Sequence, residues 1–72
     1  MELYANRGGD SNVAAFEIGT DWIKVQFRTA ATYTYSYGSA GGSNIEHMKR
    51  LARSGHGLNS FINTNVKFKY VR

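Results

Sequence analysis

Apolar residues recur at every second position over Val13 to Ile18 and again over Trp22 to Arg28, with Gly19-Thr20-Asp21 between the two runs. Two-residue periodicity flanking a cluster of turn formers predicts a β-hairpin. A register that pairs Ile18 with Ile23 also pairs Phe16 with Val25 and Ala14 with Phe27, so six apolar residues share one face. The other face then pairs Glu17 with Lys24, Ala15 with Gln26 and Val13 with Arg28. One register thus satisfies a core face and an opposite-charge pair, and a one-residue slip would expose half of the apolar set.

A third run, Thr32 to Tyr37, sets Tyr33, Tyr35 and Tyr37 against Thr32, Thr34 and Ser36. Strict alternation predicts a strand with one aromatic and one hydroxyl face. Gly38-Ser39-Ala40-Gly41-Gly42 reads as a flexible connection. The period then becomes helical, with Ile45, Met48, Leu51 and Ala52 forming one stripe. Ser43 as N-cap and Glu46 three residues later form a capping box, and Gly55 stands where a left-handed residue ends a helix. Leu58, Phe61 and Ile62 begin a second short helical pattern. From Val66 alternation returns, with Phe68 and Tyr70 set against Lys67 and Lys69.

Residues 1–11 read as a loose lead-in, because Arg7-Gly8-Gly9-Asp10-Ser11 has turn chemistry and no period. Residues 12–72 read as one domain. The expected fold is α+β: a three-stranded antiparallel sheet in β-β-β order, one firm helix, a second short helix, and an extended C-terminal tail or fourth strand. The helices should cover Phe16, Ile18, Ile23, Val25 and Phe27, since nothing else can bury that face.

The loop after the second strand decides which way the tyrosines point. An odd-length loop, pairing Phe27 with Tyr33, turns the rings toward the apolar face and the helix. A two-residue loop places them beside Trp22, Lys24 and Arg28, as an aromatic and basic platform for stacking bases. The platform would bury Thr32, Thr34 and Ser36, and each unpartnered buried hydroxyl costs about 1–3 kcal/mol. Tyrosine can bury its ring and keep its hydroxyl at a wet rim, so the inward orientation is expected.

Seventy-two residues support one modest core, and a chain of this size buries only about 60% of its unfolded surface. There is no cysteine, and hence no disulfide or thiolate metal site. That suits a reducing, cytoplasmic setting. No apolar run approaches the roughly 20 residues that cross a bilayer. Met1 to Asp10 lacks the basic and apolar regions of a secretory signal.

The charge of +4 is unevenly distributed. Residues 1–42 carry three cations against four carboxylates, a balance of −1. Residues 43–72 carry Lys49, Arg50, Arg53, Lys67, Lys69 and Arg72 against Glu46 alone, a balance of +5. Such an asymmetry points to a polyanionic partner, and equally describes a solvated helix face that keeps a protein soluble. If about four of these cations meet single-stranded phosphates, affinity should fall with log salt at a slope near −3.

Catalytic patterns are missing, and an enzyme is not expected. His47 and His56 are the only imidazoles, without a flanking acidic cluster, and read as solvated side chains. Ser54 lacks the Gly-x-Ser-x-Gly frame of a nucleophile elbow. The glycines of 38–42 lack the Lys-Ser/Thr of a phosphate loop. No two of Asp10, Glu17 and Asp21 are brought together as an acid/base pair. No metal or cofactor is expected. Asn59, Asn63 and Asn65 carry amides that can hydrogen-bond bases, and capping or turn roles account for them equally well.

Ser11-Asn12-Val13-Ala14-Ala15-Phe16, Ile23-Lys24-Val25-Gln26-Phe27, Tyr33-Thr34-Tyr35, Ser54-Gly55 and Leu58-Asn59-x-Phe61-Ile62 resemble the KTSC domain. That small module occurs at the C-terminus of some lysyl-tRNA synthetases and alone in bacteria. The resemblance spans roughly residues 11–70. The family follows its Tyr-x-Tyr with a Val-Pro that starts the helix, where this chain has Gly38 to Ser43; the strand-to-helix geometry is therefore open. The resemblance implies RNA as a partner, through the attachment to synthetases. The expectation is an RNA-binding accessory module contacting phosphates through Lys49, Arg50, Arg53, Lys67, Lys69 and Arg72, with Tyr70 or Trp22 stacking. Tyr33, Tyr35 and Tyr37 carry the family motif. The alternative is a protein-interaction or structural module whose basic face meets an acidic chain. Oligomeric state is left open.

Overall fold

The Gly19-Thr20-Asp21 turn closes as a hairpin, with the Gly19 amide donating to the Trp22 carbonyl at 2.9 Å. The computed structural model describes residues 1–7 and 12–71. Four antiparallel strands lie in sequence order: β1 (Glu2–Leu3), β2 (Val13–Ile18), β3 (Trp22–Phe27) and β4 (Thr32–Ser36). They are followed by α1 (Tyr37–Ala40), α2 (Gly42–Ser54) and α3 (Leu58–Phe61), which runs into a π-helical turn over Ile62–Val66. No described helix is long and apolar enough to cross a membrane.

The hairpin register is the expected one from Ile18↔Ile23 through Ala15↔Gln26. Beyond that it shifts. Val13, not Ala14, stands opposite Phe27. The extra residue on β2 is a bulge, and it turns Val13 onto the core face. Val13 is accordingly buried, where a regular ladder would have set it beside Arg28 on the outer face.

The lead-in is more ordered than its composition suggests. Glu2 and Leu3 pair with Phe16 and Ala15 as the fourth strand, at the opposite end of the chain from the one expected. Tyr4 is buried, and its hydroxyl accepts from the Leu58 amide at 3.2 Å at the start of α3. Arg7 donates through Nε to the Ser54 carbonyl at 2.8 Å and through its amide to Gly55 at 2.7 Å. These bonds occupy carbonyls at the end of α2 that lack helical partners. Gly8 to Ser11, part of the expected loop, lie outside the described residues.

Between β3 and β4, three residues, Arg28 to Ala30, separate Phe27 from Ala31, whose carbonyl accepts from the Phe27 amide at 2.9 Å. Ala30 takes a left-handed φ of 73°, the role glycine usually fills there. The odd length places Tyr33 opposite Val25 and Tyr35 opposite Ile23, on the core face. Phe27 meets Tyr33 through ring contact, at 5.9 Å between centroids, and does not pair with it.

Tyr37 leaves the strand. Residues 37–40 form a helical turn in place of a flexible connection. Ser36 caps it, accepting from the Ser39 amide at 3.1 Å, while Ser39 Oγ accepts from the Ser36 amide at 3.0 Å. The capping box therefore belongs to Ser36 and Ser39. The expected box of Ser43 and Glu46 does not form, because α2 begins two residues earlier, with Gly41 as a cap that offers no side chain. Gly55 ends α2 with φ 76°, as its position implied.

Helix α2 lays Ile45, Met48 and Ala52 on the sheet, where they join Phe16, Ile23, Val25 and Tyr35 in one core. Leu58, Ile62 and Val66 close that core from the side. Val66 ends the π-helical turn instead of starting a strand. The following residues cross β4 as a tail, fastened by the Val71 amide on the Thr34 carbonyl at 2.6 Å.

Candidate nucleic-acid interface

The described cations of the C-terminal half differ in exposure. Lys49 is only 6% exposed. Its ammonium donates to the Thr20 carbonyl at 2.8 Å and to Glu46 Oε2 at 3.0 Å. Glu46 Oε2 also accepts from the Tyr37 hydroxyl at 2.6 Å. These bonds tie the β2–β3 turn to α1 and α2, so Lys49 is withdrawn from the set expected to meet phosphate. Tyr37 and then Lys49 hold the Glu46 carboxyl below its usual range, while the bond to Glu46 raises the Tyr37 phenol. Arg50 and Arg53 are exposed on α2. Arg72 lies outside the described residues.

Trp22 is on the far side of the sheet from the helices. It pairs with Ser36 on the hydroxyl face, and Lys24 Nζ sits 5.7 Å from its ring centroid. Gly19 packs against the indole, where a Cβ would collide with the ring. Trp22 is thereby separated from the helix and tail residues it was grouped with.

The tail keeps its part of the set and gains company. Tyr70 rests on Tyr33 at 4.6 Å between centroids and meets Tyr35 edge-on at 6.4 Å. Phe27 extends this series through its edge contact with Tyr33. Lys67 and Lys69 are exposed, and Lys67 Nζ lies 5.5 Å from the Phe68 ring centroid. Together Phe27, Tyr33, Tyr35, Phe68, Tyr70 and Lys67 line an open cleft of about 300 Å³. Asn12, Asn59 and Asn63 add amides to its wall. Among the described residues the cleft contains no carboxylate, and Lys67 is its one formal charge.

The three motif tyrosines have separate fates. Tyr35 is 1% exposed and belongs to the core, Tyr33 is 37% exposed in the cleft, and Tyr37 is 43% exposed and bound to Glu46. Sequence reasoning missed the roles of Phe27, Phe68 and Asn12. Phe68 was legible as an apolar residue between two lysines, but its neighbours depend on where the tail lies.

Burial, then the adjacent Tyr33 and Tyr70 phenols, push the Tyr35 phenol up from about 10 to about 12. A raised phenol favours the protonated folded state. Its contribution is complete below pH 10 and disappears as pH rises toward about 12. In an alkaline titration followed by phenolate absorbance, Tyr35 is expected to ionise late. Unfolding should accompany that step, and early, uniform ionisation of all tyrosines in a folded protein would contradict it.

Among the described residues no three histidine or acidic side chains gather as metal ligands. His47 and Phe61 face each other at 4.5 Å between centroids beside a second cavity, of about 530 Å³. No family model, no curated protein and no solved structure matches this chain. The resemblance to the KTSC domain thus rests on the residues that carry it.

Proposed function

We propose that this chain is a KTSC-like accessory module that binds single-stranded RNA through the cleft between β4 and the C-terminal tail. The observation that carries this reading is the placing of the half-exposed Tyr33 ring, Tyr70 and Lys67 around one cleft that has no carboxylate among the described residues. An aromatic ring offers any base a π-face, a lysine meets the neighbouring phosphate, and asparagine amides meet base edges. Lys69 adds a second tail cation, while Arg50 and Arg53 remain exposed on α2 for a longer strand.

The test is a titration of labelled single-stranded RNA at two salt concentrations. Two tail phosphate contacts give a slope of about −1.4 against log salt, and four contacts, with Arg50 and Arg53, give about −3. Tyr33→Ala is expected to weaken binding about tenfold, within the range for one stacked base. Lys67→Ala should flatten the salt dependence. Absence of binding even at low salt rejects the proposal.

A protein-interaction module is the second reading. Phe68 is 68% exposed and Val71 is 50% exposed beside the edge strand β4. Exposed apolar groups beside a sheet edge suit docking of another chain. A stable partner recovered from nuclease-treated lysate, lost on Phe68→Ser, would favour it.

A further inference from the structure

Resting on the RNA-binding reading above, we infer that the cavity walled by His47 and Phe61 is a second base site, so that the bound strand places bases on both sides of Asn59. Three observations converge. Asn59 lines both the tail cleft and this cavity, so the two are joined at one side chain. The Asn59 amide makes no hydrogen bond among the described residues and is open to solvent, leaving its donors and acceptor for a ligand. The cavity repeats the chemistry of the first cleft: an aromatic wall, amide and hydroxyl groups from Ser60, Thr64 and Asn65, and, among the described residues, no carboxylate.

The fold explains how that wall arises. The π-helical turn follows α3 and presents Thr64 and Asn65 to the cavity. Single π-helical turns occur frequently at functional sites. Asn65 is held locally, donating to the Phe61 carbonyl at 3.2 Å and to Thr64 Oγ1 at 2.9 Å. Asn59 is the amide that remains. At about 530 Å³ the cavity accommodates a nucleobase within the usual range of ligand sites. A flat heterocycle with hydrogen-bonding edges fits this lining, which among the described residues includes no lysine, arginine or carboxylate.

The experiment maps amide shifts with uridine monophosphate and with an oligouridylate, and measures oligouridylate affinity for His47→Ala, Asn59→Ala and Tyr33→Ala. His47 is exposed on a helix that alanine favours, so its replacement leaves the fold intact. The oligouridylate is expected to shift His47, Ser60 and Asn65 together with Tyr33 and Lys67. His47→Ala should weaken it about tenfold while the shifts at Tyr33 persist. Asn59→Ala should weaken contacts on both sides. Shifts confined to the tail cleft, with His47→Ala binding like the parent protein, overturn the second site and leave the first standing. Shifts confined to the His47 cavity, with Tyr33→Ala unaffected, reject the tail cleft and with it a strand that places bases on both sides of Asn59. No shifts anywhere reject both.

Discussion

Tyr35→Ala is expected to leave the domain largely unfolded, while Tyr35→Phe stays folded. Tyr35 sits opposite Ile23 at 1% exposure and joins the sheet to Met48, Leu58 and Val66 in one core. Truncating a buried aromatic residue costs about 3–5 kcal/mol, from lost transfer energy and the cavity left behind. Small domains have only about 5–15 kcal/mol in hand, and a chain of this size belongs near the lower end. The phenol hydroxyl contributes less than the ring, so phenylalanine preserves most of the burial. Urea denaturation followed by far-UV circular dichroism measures the loss. A Tyr35→Ala midpoint equal to the parent's would show that the ring is not part of the core. Tyr33→Ala provides the contrast, because its half-exposed ring should matter more to RNA than to folding.

Lys49→Ala is expected to destabilise the fold by about 2–3 kcal/mol, the range for hydrogen bonds to a buried charged group, without changing the salt dependence of RNA binding. The ammonium is committed to the Thr20 carbonyl and to Glu46. Its loss leaves that carbonyl unpaired and loosens the link from the β2–β3 turn to α2. Glu46 is partly exposed and can be rehydrated, so the cost stays below that of a fully buried pair. Thermal unfolding and the salt slope together decide the matter. A flattened slope with unchanged stability would return Lys49 to the phosphate-binding set.

The local signals in the sequence were sufficient wherever neighbouring residues decide the outcome. The alternation of Phe16, Ile18, Ile23, Val25 and Phe27 and the turn at Gly19-Thr20-Asp21 specified the hairpin. The Ile45, Met48, Ala52 stripe and Gly55 specified α2 and its end. The cost of burying Thr32, Thr34 and Ser36 specified which face Tyr35 would take. What escaped was set by contacts between residues far apart in the chain. Val13 turned inward because a bulge at Ala14 gave it a place in the core, and no periodicity encodes an added residue. Glu2 and Leu3 became a strand because β2 had an unfilled edge and Tyr4 a place to bury.

The candidate site divides along the same line. Charge counting identified a basic half of the chain, and alternation identified three tyrosines. Only the tertiary structure distributed them. Lys49 was drawn under the β2–β3 turn, Trp22 was put on the opposite sheet face, and Tyr33, Tyr70 and Lys67 came together when the tail crossed β4. Secondary structure follows from the order of residues along a few turns or strand repeats. A binding surface is made by side chains that meet only after the core has closed, and their positions depend on every element packed beneath them.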